Sequence, residues 1–140
     1  MRLYVLLALS VTVLLGAAEV PKEDPDVTRL LQQIKGQENK PAAEVFKNVK
    51  LLKNIPAARF LRIMDVGYSR SLGIGCDHCH VEDRWEADEK WPKLAAREMI
   101  LLMQEINTKL ESMENIDNTE PQINCTTCHR GYVKPATQMR

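Results

Sequence analysis

Outside two five-residue segments this 140-residue sequence has no cysteine and no histidine. All four cysteines and all three histidines lie within residues 76–80 and 125–129, which excludes a disulfide scaffold or an imidazole-based catalytic centre anywhere else. Aromatic residues are also scarce. Two Phe, two Trp and three Tyr give a small domain little bulk for its interior. Neither sign of charge is in excess, since 19 basic residues offset 19 acidic ones, and nothing in that balance points to a nucleic-acid partner. Strand-like alternation is missing, so the expected fold is all-α, with helices and little or no sheet.

The two segments themselves are Cys76-Asp77-His78-Cys79-His80 and Cys125-Thr126-Thr127-Cys128-His129. Each is a Cys-x-x-Cys-His, the attachment signature of c-type haem. Two sulfurs three positions apart reach the two vinyl groups of one porphyrin, and the histidine that follows presents a neutral imidazole to the iron. The expected cofactors are therefore two covalently attached haem c groups, held by Cys76, Cys79, Cys125 and Cys128, with His80 and His129 as proximal ligands. Two large porphyrins would also supply hydrophobic interior, making folding depend on them. A four-cysteine zinc site is the main rival, but its pairs are usually about 15 to 20 residues apart, and zinc does not account for the two following histidines. A thioredoxin-like dithiol would want a βαβ pattern nearby, and none is present.

The chain opens Met1-Arg2, continues through an apolar run from Leu3 to Leu15, and reaches Gly16-Ala17-Ala18 before charged sequence begins at Glu19. This is the pattern of a secretory signal, residues 1–18, cleaved after Ala18. The run is short of the roughly 20 residues a spanning helix needs, so a retained anchor is the weaker reading. Export to the periplasm, or to the outer face of the cytoplasmic membrane, suits haem attachment of this type. Residues 19–41 then read as a linker with a short helix, 42–135 as a two-haem domain and 136–140 as a flexible tail.

Within that frame the apolar spacing predicts helices over 26–35, 42–52, from Pro56 to about Tyr68, and from Pro92 to about Met113. The third places Phe60, Met64 and Tyr68 on one face. Gly67, Gly73 and Gly75 are expected to turn the chain into the first haem segment. The fourth carries an apolar stripe of Ala95, Met99, Leu102, Met103, Ile106, Leu110 and Met113. Acidic residues Glu82, Asp83, Glu86, Asp88 and Glu89 follow the first segment, and Arg130, Lys134 and Arg140 follow the second. An acidic face can steer a basic redox partner, but solvated loop charges give the same pattern.

With two histidines committed as proximal ligands, only His78 is left, and it is tethered between the cysteines of its own segment, badly placed to reach another iron. Methionine is the remaining soft ligand, and His/Met ligation raises the reduction potential. Met64, Met99, Met103 and Met113 are all candidates, and composition does not choose among them.

Several ordered segments resemble the photosynthetic reaction-centre cytochrome c subunit family. They are Ala43-Glu44-Val45-Phe46-Lys47-Asn48-Val49, Phe60-Leu61-Arg62-Ile63-Met64, Gly75 to His80, Ala96-Arg97-Glu98-Met99, Glu105-Ile106-Asn107 and Cys125 to Gly131. The resemblance covers roughly residues 42–135. It implies that Met64 ligates the first haem with His80 and Met99 the second with His129, leaving Met103 and Met113 to the core. The family's full subunit has four haems and about twice this length, so the resemblance is to its N-terminal half. That subunit also supplies a histidine to another haem near the place where Met113 stands, and many members begin with a lipoprotein cysteine that is not found near Ala18.

The resulting expectation is a one-electron carrier rather than an enzyme, exchanging electrons with a redox-protein donor and acceptor, including a membrane-bound complex, and binding neither nucleic acid nor a small-molecule substrate. The alternative is a peroxidase-like two-haem oxidoreductase with one open iron site. Since every histidine lies in a haem segment, distal proton transfer there would fall to less suitable side chains.

Overall fold

A computed structural model describes residues 23–116 and 120–138. The signal-like run and the last two residues lie outside them. Among the described residues the chain is helical with no sheet, its only β-type pairings being the isolated bridges Pro41–Pro56 and Val81–Arg84.

Helix α1 spans Pro25–Gln33. It starts where expected because Asp24 caps it, accepting from the Asp26 amide at 2.8 Å, and proline occupies the first turn. It ends at Gln33 with Ile34 as its cap, and Gly36, at a left-handed φ of 83°, turns the chain away two residues later. Helix α3, Ala57–Arg62, packs its Ala57 and Leu61 against Val27 and Ile34 of the α1 region. Leu30, Leu31, Val45 and Phe46 close over this small core, with Phe46 stacked on Phe60 at 5.5 Å between ring centroids. No large side chain among the described residues is fully buried, so little of this part of the chain is held by side-chain packing alone.

The expected helix over 42–52 is a single turn, α2, Ala42–Val45. Phe46 is already extended, and Asn48 and Leu52 have φ of 59° and 58°. The apolar spacing there is real but serves another purpose. Residues 45–52 wrap a cavity and contribute its wall, so their periodicity does not report a helix face.

Helix α3 runs on without a break into a π-helical segment, Ile63–Arg70. Its side-chain bonds follow the wider i to i+5 spacing. Arg70 grips the buried Asp65 through two bonds at 3.0 and 2.7 Å, and the Ser71 hydroxyl donates to the Val66 carbonyl at 3.2 Å. Single π-helical turns inside α-helices concentrate at functional sites. Gly67 lies within this helix rather than in a turn, whereas Gly73, at φ 68°, makes the turn that was expected of it.

Helix α4, Trp91–Glu111, is the longest element. Its inward side is Lys93 and Ile100, flanked by Ala96, Arg97, Met103 and Asn107. Much of the stripe that its sequence presents remains exposed: Met99 and Leu102 are each 46 % exposed, Ile106 37 % and Met113 44 %. Met113 is thus not a core residue. No helix among the described residues is long and apolar enough to cross a membrane.

Candidate haem sites

The first Cys-x-x-Cys-His is a tight turn. Residues Cys76–His78 form a 3₁₀ helix, and the His80 amide donates to the Cys76 carbonyl at 3.0 Å. One turn places both sulfurs and the imidazole on the same side. They face a cavity of about 440 Å³, within the range of small-molecule and cofactor sites. Its wall includes Cys76, Cys79 and His80 together with Val27, Leu30, Ile34, Phe46, Phe60, Met64 and Tyr68. The π-helical segment and α3 thus bring Phe60, Met64 and Tyr68 to one cavity with the first attachment turn.

Electrostatics around His80 favour a ligand. Burial pushes its pKa down, opposed by a hydrogen bond to the Trp85 carbonyl, so the imidazole is kept neutral. The Nδ1 atom lies 2.8 Å from that carbonyl. Because a carbonyl only accepts, Nδ1 carries the proton and Nε2 keeps its lone pair, as second-shell partners of metal-ligating histidines arrange. Trp85 also lies against the His80 ring, 5.7 Å between centroids, and the Arg29 guanidinium covers the indole at 5.8 Å. Burial raises the Cys76 thiol to about 11, helped by Asp24 and Asp26, and also raises Cys79, so both stay protonated in the bare polypeptide. Tyr68 is pushed up to about 12, chiefly by burial and secondarily by Cys125 and Cys79, the cysteines of two different segments.

The acidic run beyond His80 is largely paired within the protein. Asp83 holds Arg29, Glu89 holds Arg84, and Asp88 holds both Lys93 at 3.2 Å and Arg97 at 3.0 Å. Arg97, Asn48 and Lys93 hold the Asp88 carboxyl well below the usual carboxylate range. Neither a steering face nor merely solvated loop charges describes these three residues, whose ion pairs strap the 81–90 loop over the cavity.

The second segment forms helix α5, Cys125–His129. A reciprocal capping box starts it: Asn124 accepts from the Thr127 amide at 3.2 Å and Thr127 accepts from the Asn124 amide at 3.1 Å. Positions 125, 128 and 129 then share a face. The His129 Nδ1 atom reaches the Tyr132 carbonyl at 3.0 Å, repeating the arrangement at His80. Three contacts position the turn. Ser71 and Thr126 share a hydrogen bond at 2.6 Å, the Gly131 amide donates to the Ser71 carbonyl at 2.8 Å, and Asn107 of α4 clamps both backbone groups of Ile123, at 3.0 and 2.7 Å. Ser71, Lys93 and Asn107 were not singled out as site residues from sequence. A polar residue on the inward side of an amphipathic helix is the signal that marks Lys93 and Asn107.

Of the four predicted axial ligands, Met64 and His80 come to one cavity. Met99 does not join its wall; it lies half exposed on α4, next to Leu102 and Met103 and two turns before Asn107. The four cysteines are not gathered into a zinc site. The sole cluster of three or more metal-binding groups among the described residues is Asp24, Asp26 and Cys76.

The residues at the first site suit a haem, with two sulfurs, a neutral oriented imidazole and a thioether on a wall whose apolar residues include Val27, Leu30, Phe46 and Phe60 and whose charged residues include Lys93 and Arg97. A fold that is helical and sheet-free among the described residues, with a Cys-x-x-Cys-His turn opening on such a cavity, is that of a c-type cytochrome. Comparison with known proteins agrees. The family model for the photosynthetic reaction centre cytochrome C subunit matches residues 16–139, and the chain belongs to that family. It is 34 % identical over 95 residues to the photosynthetic reaction center cytochrome c subunit of Thermochromatium tepidum, covering 67 % of this chain and 22 % of that protein. The same subunit of Rubrivivax gelatinosus is 34 % identical over 95 residues, 67 % of this chain and 25 % of the relative. Cytochrome c-554 of Chloroflexus aurantiacus is 34 % identical over 83 residues, covering 59 % and 20 %. The match thus spans only about a fifth to a quarter of the relatives' length, less than the half expected from sequence. Family membership implies covalently bound haem c.

Proposed function

We propose that this chain is an exported two-haem electron carrier. The observation that carries the reading is the meeting of Met64 and His80 in one cavity with Cys76 and Cys79. On this reading Cys76 and Cys79 hold the first haem, with His80 and Met64 as axial ligands, and Cys125 and Cys128 hold the second, with His129 and Met99. When bound, each haem supplies an iron that takes up or releases one electron. The protein's part is to hold and tune. Trp85 and Tyr132 carbonyls orient the two imidazoles, and thioether ligation favours the reduced state. The exposed stripe around Met99, Leu102 and Ile106 supports a second porphyrin seated between α4 and the turn at Cys125.

The signal-like residues 1–18 support export, and the paired charges around the first site leave electron exchange to the haem edges with donor and acceptor proteins, including a membrane-bound complex. Intact-mass measurement and reduced and oxidised spectra of the exported protein test this. Two added haem masses per chain, with the long-wavelength band of sulfur ligation, are expected. Replacing Met99 by alanine should abolish that band for one haem; unchanged spectra and potentials would remove Met99 from the ligand set.

A further inference from the structure

Lys93 is 9 % exposed, although lysine is almost never buried without partners. All three of its ammonium protons have acceptors. They go to the Trp85 carbonyl at 2.8 Å, the Ala87 carbonyl at 2.8 Å and Asp88 at 3.2 Å. The Trp85 carbonyl is the same group that orients His80, at 2.8 Å from its Nδ1. One oxygen therefore takes an imidazole N–H and an ammonium N–H together, which uses both of its lone pairs. Lys93 also lines the cavity wall beside Ala96 and Arg97.

We propose that Lys93 is a positioning residue that raises the reduction potential of the haem held at Cys76 and Cys79, acting through the Trp85 carbonyl on His80 and through its own buried charge. The inference rests on His80 being that haem's ligand. Two effects have the same sign. Carbonyl electron density drawn toward the ammonium is less available to the Nδ1 proton, so the imidazole keeps less basicity and donates less to the iron. Oxidation adds a positive charge to the iron, and a cation fixed nearby in a poorly solvated wall opposes it. Asp88 does not cancel the charge, because it is shared between Lys93 and Arg97 and its side chain is 38 % exposed against 10 % for Lys93.

Potentiometric titration of the intact haem-loaded protein tests this, using Lys93→Met, Lys93→Arg and Asp88→Asn. The two potentials are assigned by the haem whose spectrum Met64→Ala alters. In Lys93→Met the ratio of reduced to oxidised iron at a fixed potential should fall about tenfold for the His80 haem, about 59 mV for one electron, with the His129 haem unmoved. Lys93→Arg should keep the wild-type potential, and Asp88→Asn should shift it upward. An unchanged potential in Lys93→Met, or equal falls with methionine and arginine, overturns the inference. Should Lys93→Met not mature, Asp88→Asn decides: a rise supports the inference, while no change or a fall overturns it. Peptide mapping of the wild type keeps the two levels apart. Absence of haem on the peptide carrying residues 76–80 overturns the site reading and this inference together; haem present there with unmoved potentials overturns the inference alone.

Discussion

The two Cys-x-x-Cys-His turns share one chemistry and have contrasting surroundings. The turn at Cys76 opens on a cavity walled by α1, the 45–52 segment, α3 and α4, and a charged loop is strapped over it. The turn at Cys125 lies at the outside, with Cys128 exposed, and depends on a few hydrogen bonds from Ser71 and Asn107. Attachment chemistry fixes five residues in each place, while the environment is supplied by distant parts of the chain. On the proposed two-haem reading, haems bonded alike would be placed in different dielectric surroundings, which is one of the means by which a protein separates their potentials.

The strongest way to break the comparison is to remove one pair of sulfurs. Cys76→Ala with Cys79→Ala should cost one haem per chain by intact mass and also most of the cooperative thermal transition by circular dichroism, since the small core surrounds that site. Cys125→Ala with Cys128→Ala should likewise cost one haem yet keep the transition. Equal loss of structure in both would mean that the core does not lean on the first site.

Next in size is Gly73→Ala. A Cβ at this position would lie 2.1 Å from the Gly131 carbonyl oxygen, and φ is 68°, so the substitution forces the second turn away from the helix that carries Met64. A destabilisation of about 2 to 3 kcal/mol in denaturant titration is expected, with spectral change concentrated in the second haem. Asn107→Ala leaves the Ile123 amide and carbonyl unpaired and should cost about 2 kcal/mol. Its effect on the first haem's spectrum should be absent.

The smallest effect is a pH dependence confined to the first site. Asp88 has its carboxyl pKa depressed chiefly by Arg97, so its stabilisation is complete above the unfolded value of about 3.9 and is lost only as pH falls through the lower folded value. Acid titration followed by NMR of the Trp85 indole should show the 81–90 loop docked through pH 4. Asp88→Asn should remove this acid-side dependence.

What the sequence displayed was local. Cysteine and histidine spacing is dictated by the porphyrin, and α1 and α4 announce themselves through an apolar period, with Pro92 marking the start of α4, whereas the Asp24 cap and Pro25 in the first turn of α1 emerge only from the structure. The helix expected over 42–52 failed because Val45, Phe46, Val49 and Leu52 line a cavity, and a wall residue and a helix-face residue are equally apolar. The stripe on α4 misled in the same way, its methionine side being exposed while Lys93 and Ile100 turn inward. Met64 and Met99 came from family resemblance; spacing did not choose them. Ser71 and Lys93 act through contacts whose partners no local period relates, such as Thr126 at 55 positions' distance from Ser71.

The π-helical segment carries a further consequence. Met64, at its start, faces the first site, and Ser71, just past its end, holds the second turn. An α-helix advances about 100° per residue, so the angle between those two side chains is stored as a residue count. Deleting one residue between Val66 and Tyr68 would let the segment relax to ordinary α geometry and swing Ser71 around the axis by roughly that step. The helix is therefore a phase-setting spacer, intolerant of a change in length even where it tolerates a change in composition.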